Sequence, residues 1–273
     1  MTVNHKTSVM KKNSILIAAS LVLVSLLAYA FTANTEEVTA KVTPEEPLTK
    51  SFTTVAEEPM KVDFFYNFGS RFEPMRRSDI LKAKSFDDFI TPDLQDKIEK
   101  YYSVRVIEII DDKEARGFHN GSGSMLNLMQ LDFLRNAPLN TNLKINGQFH
   151  WYNEERGIRE DIHASPHRTI VPQYQATYID GKDGLIEWFR TKNKELTEDL
   201  DDKTLKAATL YFTIDTDGSI KEVYADRSCG YLDIDENIKQ ILMQTQGDWT
   251  PARDMNEKPV AQQLTISYGR GGC

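Results

Sequence analysis

The chain has 273 residues, 33 Lys and Arg against 41 Asp and Glu, a net charge of -8, and 40% hydrophobic and 10% aromatic residues. That length holds one large or two small globular domains, and the apolar fraction excludes a chain that is disordered throughout. The acidic balance, with no basic stripe, excludes a nucleic-acid surface, and a count of two cysteines excludes a disulfide-dense scaffold.

Residues 1–13 carry Lys6, Lys11 and Lys12 and no acid, and read as a cytoplasmic N-terminus. Ser14 to Phe31, SILIAASLVLVSLLAYAF, follows within an uncharged stretch that ends before Glu36 and Glu37. A bilayer needs roughly 20 apolar residues in a helix, and the lysine bias sets the orientation. The expectation is a transmembrane signal anchor at 14–33, single-pass in the inner membrane, with the C-terminal bulk in the periplasm. Ala28-Tyr29-Ala30 also fits a cleavage site, which leaves a secreted form as the alternative. Residues 34–61, with Pro44, Pro47 and Pro59 and one aromatic, read as a flexible linker.

Residues 62–178 mix both periodicities and predict an α+β domain of unassigned role. Strands are expected at Val62–Phe68, Ser103–Ile110 and Asn142–Tyr152, and near Arg168–Tyr178. Helices are expected at Ser78–Ile90, Leu94–Tyr101 and Leu126–Arg135, the last capped by Ser124. His163 and His167 stand four apart, as zinc ligands on one helical face do, but Pro166 between them breaks that geometry and predicts a loop. The Gly-rich run 120–124 lacks the Lys-Ser/Thr ending of a phosphate loop. Asp215 and Asp217 lack the distal Glu of a calcium loop. No catalytic residue, metal ligand or cofactor site is expected, and the chain is not read as an enzyme.

Residues 179–273 are the most patterned. The turn Asp180 to Gly184 leads into a short helix marked by Leu185, Ile186 and Phe189. Ala208, Leu210, Phe212 and Ile214 alternate with polar residues as a half-buried strand, and Asp215-Thr216-Asp217-Gly218 turns it into a hairpin with Ile220–Asp226. Asp233 with Glu236 reads as a capping box for a helix carrying Ile234, Ile238, Ile241 and Leu242. Val260, Leu264, Ile266 and Tyr268 mark a closing strand.

Asp217-Gly218-Ser219-Ile220, Arg227-Ser228, the acid-led helix, Trp249-Thr250-Pro251-Ala252, Lys258-Pro259-Val260 and the closing strand, in that order, resemble the TonB C-terminal domain of the Bacteroidetes type. The resemblance covers residues 179–273 and leaves 62–178 unassigned. It implies a three-stranded antiparallel sheet with two helices there, which with the anchor, tether and small α+β domain read before it makes an α+β chain. It implies that the last strand, Val260, Ala261, Gln262, Gln263, Leu264, Thr265, Ile266 and Ser267, is a sheet edge that pairs with a partner segment, such as the TonB box of an outer-membrane transporter; the alternative is that this edge is covered by the preceding domain or by a second copy. Asp217, Gly218, Trp249, Pro251 and Pro259 then serve as structural motif residues.

ExbB-like and ExbD-like motor subunits are the implied partners for energy transduction, and a homodimer or another envelope protein the partner without it. Three departures bear on energising: the apolar segment has no histidine, residues 34–61 replace a long Pro-rich spacer, and Leu196–Leu205 stands where the family has a Tyr-Pro pair. A non-energised docking or sensory protein is the rival reading. Cys229 after the hairpin and Cys273 after the last strand form a candidate disulfide.

Overall fold

In the computed structural model, which describes residues 63–115, 119–200 and 203–271, the chain is built on one four-stranded and one seven-stranded sheet, each with helices on a face. The elements run β1 Phe64–Gly69, β2 Glu73–Arg76, α1 Arg77–Lys82, a 3-10 turn Phe86–Phe89, a single helical turn Pro92–Gln95, β3 Ile98–Ile110, β4 Lys113–Glu114 and β5 His119–Ser122. Then come α2 Leu128–Asn136, β6 Asn142–Asn153, β7 Ile158–Ala164, β8 His167–Val171 and β9 Thr177–Tyr178. The remainder is α3 Gly181–Lys192, a helical turn Lys194–Thr197, β10 Ala207–Ile214, β11 Ile220–Arg227, α4 Leu232–Gln244, β12 Trp249–Thr250, β13 Ala252–Arg253, β14 Pro259–Val260 and β15 Gln262–Arg270.

The seven-stranded sheet has the order β2-β8-β6-β3-β4, with β5 also on β3 and β7 also on β6. Its long strands follow the two-residue period: Val104, Val106, Leu143, Ile145 and Phe149 are buried under Ile80 of α1, Phe86 and Phe89 of the 3-10 turn and Leu134 of α2. α2 begins at a reciprocal capping box between Asn127 and Gln130, so Ser124 is not the cap.

The four-stranded sheet has the order β1-β15-β10-β11, antiparallel throughout. Leu185 and Phe189 of α3 and Ile234, Ile238, Ile241 and Leu242 of α4 pack on one face, against Leu210, Phe212, Ile266 and Tyr268. Phe64, Tyr66 and Phe68 of β1 complete that core, and Phe68 meets Phe189 edge-on with centroids 4.9 Å apart. At roughly 1.5–3 kcal/mol for each large apolar side chain, burial of these three contributes on the order of 5 kcal/mol. That is a large part of an ordinary domain's net stability, so β1 is integral to the sheet.

Several expectations are corrected. The fold class of an anchor helix with a three-stranded C-terminal sheet is overturned: the described residues form a mixed α/β structure with several sheets, about 44% strand and 25% helix among them. The sheet expected to have three strands draws its fourth from residues 64–69, about 140 positions before the next strand of the same sheet. Among the described residues no helix is long and apolar enough to cross a membrane, so the single-pass inner-membrane placement is not supported. The segments 14–33 and 34–61 themselves lie outside the described residues.

The helix expected at Ser78–Ile90 breaks after Lys82, where Ala83 caps α1 in an extended conformation. The one expected at Leu94–Tyr101 is a single turn followed by β3, because Tyr101, Val104 and Val106 have core positions to fill on the sheet. The capping box at Asp233 and Glu236 does not form; Tyr231 stands at the N-cap of α4, Glu236 pairs with Lys239, and Asp235 takes the hydrogen bonds.

Candidate functional site

The strand expected to be a sheet edge is an inner strand. β15 pairs on one side with β10, from Ala207↔Gly269 to Ile214↔Gln262, and on the other with β1, from Phe64↔Arg270 to Gly69↔Thr265. The residues from Val260 to Ser267 are therefore spoken for: Leu264 and Ile266 are in the core, Gln262 accepts a hydrogen bond from the Ala176 N–H (2.7 Å), and the Gln263 N–H donates to Asn140 Oδ1 (3.1 Å). No unpaired edge remains there for a partner.

Among the described residues the free edges of this sheet belong to β11 and β1. β11 is blunted in the ways edge strands usually are: its register on β10 shifts twice, Glu222 has φ 52°, and Lys221, Glu222, Asp226 and Arg227 stand exposed along it. β1, FFYNFG, has an unbroken register and no charged residue or proline. The Arg270 N–H donates to the Lys206 carbonyl (3.1 Å), so the even residues of β15 turn their backbone groups towards β10. By the alternation of an antiparallel ladder the odd ones face β1, and Phe65, Asn67 and Gly69 are the bonded set. Phe64, Tyr66 and Phe68 direct their N–H and C=O groups to the outer edge, where no strand pairs with them among the described residues.

That edge opens into two hollows walled by α3. At the Gly69 end lies a cleft of about 630 Å³ lined by Phe68, Phe72, Tyr178, Leu185, Trp249 and Leu264, with Lys182 at its rim. At the Phe64 end a hollow of about 570 Å³ is bounded by Asp63, Asp183, Ile186, Glu187 and Arg190. The cleft is mostly apolar with a few polar groups at its border, the usual make-up of a binding site. Arg71, in its lining, is held by Asp112, with Nη2 2.8 and 2.7 Å from the two carboxylate oxygens. Burial, with Asp248 and Asp180 nearby, pushes the Tyr178 hydroxyl above its ordinary value, so it stays a neutral donor.

Of the motif residues, Trp249 lines this cleft, and Gly218 packs against it from the hairpin turn. Gly218, at φ 82° in the turn after β10, comes so close to Trp249 that a Cβ there would stand 2.5 Å from the Trp249 carbonyl oxygen and 3.7 Å from Pro251. Asp217 Oδ1 accepts from the Ser219 N–H (2.8 Å), which shapes the turn. Trp249 donates to Thr245 Oγ1 (3.0 Å) and packs on Phe212 and Tyr178, each ring 5.6 Å away. Pro259 pairs with Arg253.

The remaining candidates are not brought into this site. Cys229 is buried as a free thiol, and Cys273 lies outside the described residues. His163 sits exposed on β7, while His167 on β8 packs against Phe72 at 5.0 Å. No group of three or more His, Cys, Asp or Glu side chains that could hold a metal occurs among the described residues. Sequence reasoning missed the β1 edge and Asp63, Lys182 and Asp183; the uncharged aromatic run FFYNFG was the available signal.

Compared with known proteins, the chain matches no family model, no curated protein and no solved structure.

Proposed function

We propose that this chain is a peptide-binding interaction protein that takes an extended segment of a partner protein by strand addition, and that the receiving edge is β1. The observation that carries the reading is the β1 edge, unpaired among the described residues and facing the α3-walled groove, opposite an edge on β11 that is bulged and charged. Main-chain hydrogen bonds to Phe64, Tyr66 and Phe68 supply affinity, and the hollows beside them supply selectivity. The motif resemblance to TonB C-terminal domains supports strand addition as the mode, with an outer-membrane transporter's TonB box or another envelope protein as the partner class. Addition at β15 itself, the edge that resemblance implies, requires ejecting β1 and losing the burial of three aromatic side chains.

The test is selection of random 12-residue peptides on the full-length protein, followed by amide exchange of each complex. The expected result is slowed exchange at Phe64, Tyr66 and Phe68 with β11 unchanged. Protection confined to β11 or to the seven-stranded sheet would show that the receiving edge is elsewhere.

A further inference from the structure

The two ends of the groove differ in chemistry. The Gly69 end is an apolar cleft floored by Phe68, Leu185 and Trp249; of the charged side chains lining it, Arg71 is held by Asp112 and Glu73 by Arg168 at 2.6 Å, which leaves Lys182 without an ion pair among the described residues. At the Phe64 end, Asp63 and Asp183 are exposed and neither has a hydrogen-bond or ion-pair partner among the described residues, whereas Glu187 is neutralised by Arg190 at 2.6 Å. An added strand places its residues opposite those of β1 at about 3.4 Å per position, and its side chains alternate between the faces. The residues opposite Phe68 and Phe64 are four positions, or about 14 Å, apart, and both project on the helix side, where Phe64 and Phe68 face α3 and α4.

We infer that the groove selects an extended protein segment carrying a large apolar side chain and, four residues from it, a lysine or arginine. The apolar residue fills the cleft at Phe68, and the cation lies between Asp63 and Asp183. Lys182 disfavours a cation at the cleft end, so the polarity is fixed: whichever way the segment runs along β1, its basic residue comes to Phe64 and its apolar residue to Phe68. The inference rests on strand addition at β1 and names the segment that this edge takes.

The experiment is fluorescence polarisation of labelled 12-residue peptides, Trp and Lys four apart in both orders in a Ser/Thr/Val background, against the full-length protein. Companion peptides carry Glu in place of Lys, or Ser in place of Trp. One order is expected to bind roughly three- to tenfold tighter than its Glu companion, the range for a pair of exposed ionic contacts, and tenfold or more tighter than its Ser companion. In the Asp63→Lys, Asp183→Lys double variant, changed only at exposed positions, the preference inverts to the Glu peptide. If Lys and Glu peptides bind alike while the β1 amides are still protected, the charge selection is overturned and strand addition stands. If none binds and no peptide protects β1, both are overturned.

Discussion

Tyr268, near the end of β15, donates its hydroxyl hydrogen to Asp235 Oδ1 in the first turn of α4, 2.7 Å away, and both residues are buried. The same carboxylate accepts from the Cys229 N–H (3.1 Å) and, through its other oxygen, from Ser228. Burial alone raises the Asp235 pKa, but the bonds from Ser228, Tyr268 and Cys229 outweigh it and hold the group below the ordinary carboxylate range. Asp235→Ala leaves three donors without an acceptor in the interior and is expected to cost about 3–5 kcal/mol in denaturant unfolding at pH 7. Because the folded pKa is depressed, this contribution is fully present above the unfolded value near 3.9 and declines as pH falls through the folded one. The difference between wild type and Asp235→Ala therefore narrows only below about pH 4; a gap that closes between pH 7 and 5 contradicts it.

A second buried polar chain ties β1 to the helices. Asn193, fully buried at the end of α3, donates to the Tyr66 hydroxyl (2.8 Å) and accepts from Asn237 of α4 (2.7 Å). Burial pushes the Tyr66 hydroxyl up to about 12, so it remains a neutral acceptor throughout the working range. Asn193→Ala orphans both partners and is expected to cost about 2–3 kcal/mol, while Tyr66→Phe, losing one weak partner, costs about 1 kcal/mol. Hydrogen exchange provides the check: the amides of β1 that bond β15 should exchange faster in Asn193→Ala than in Tyr66→Phe, and equal rates in the two variants would separate Asn193 from β1.

Much of the C-terminal half was legible because its signals are local. Leu210, Phe212 and Ile214 alternate, Asp215 to Gly218 carry turn chemistry, and Ile234, Ile238 and Ile241 repeat at helical spacing; the corresponding elements fall at β10, the turn and α4. The place of β1 at the sheet edge was not legible, because it depends on a pairing between residues 64–69 and 265–270 that no local pattern encodes. β15 and β1 have the same alternating pattern, and only the topology says which of them is covered. The misread helix at Leu94–Tyr101 has the same cause: Leu94, Ile98 and Tyr101 fit a helical stripe, yet Tyr101 packs against Phe149 across the sheet. Asp63 and Asp183 read as ordinary surface acids until the fold sets β1 beside α3.

Gly218 couples the hairpin turn to the wall of the cleft. Its φ of 82° lies in the left-handed region, and a Cβ would stand 2.5 Å from the Trp249 carbonyl oxygen, a backbone atom that cannot rotate away. Gly218→Ala is expected to destabilise by about 2–4 kcal/mol through backbone strain and steric overlap together. In a domain of this size that lowers Tm by roughly 5–15 °C. Gly157, also at positive φ but with nothing near its missing Cβ, is the control: Gly157→Ala carries the strain alone and should cost about 1 kcal/mol. Equal effects at the two positions would show that the contact with Trp249 contributes nothing.

Cys229 is fully buried in the core against the start of α4, and a Cβ on Gly269 would come within 3.3 Å of its own. Burial pushes its thiol up to about 12, reinforced by the neighbouring Asp235 carboxylate. At pH 8 only about one molecule in ten thousand then carries the thiolate, the form that attacks disulfide reagents. With Cys273→Ser leaving a single thiol, reaction with a chromogenic aromatic disulfide at pH 8 should run at least about 100-fold slower in the folded protein than in guanidinium. Asp235→Asn removes the negative neighbour but keeps the burial, so its folded thiol should react only modestly faster, and full reactivity in that variant would show that charge rather than burial protects the sulfur. A folded wild-type thiol that reacts as fast as the denatured one would mean that the β11 to α4 connection opens readily, and that the Asp235 bonds to Ser228, Cys229 and Tyr268 do not hold the end of β15 in place.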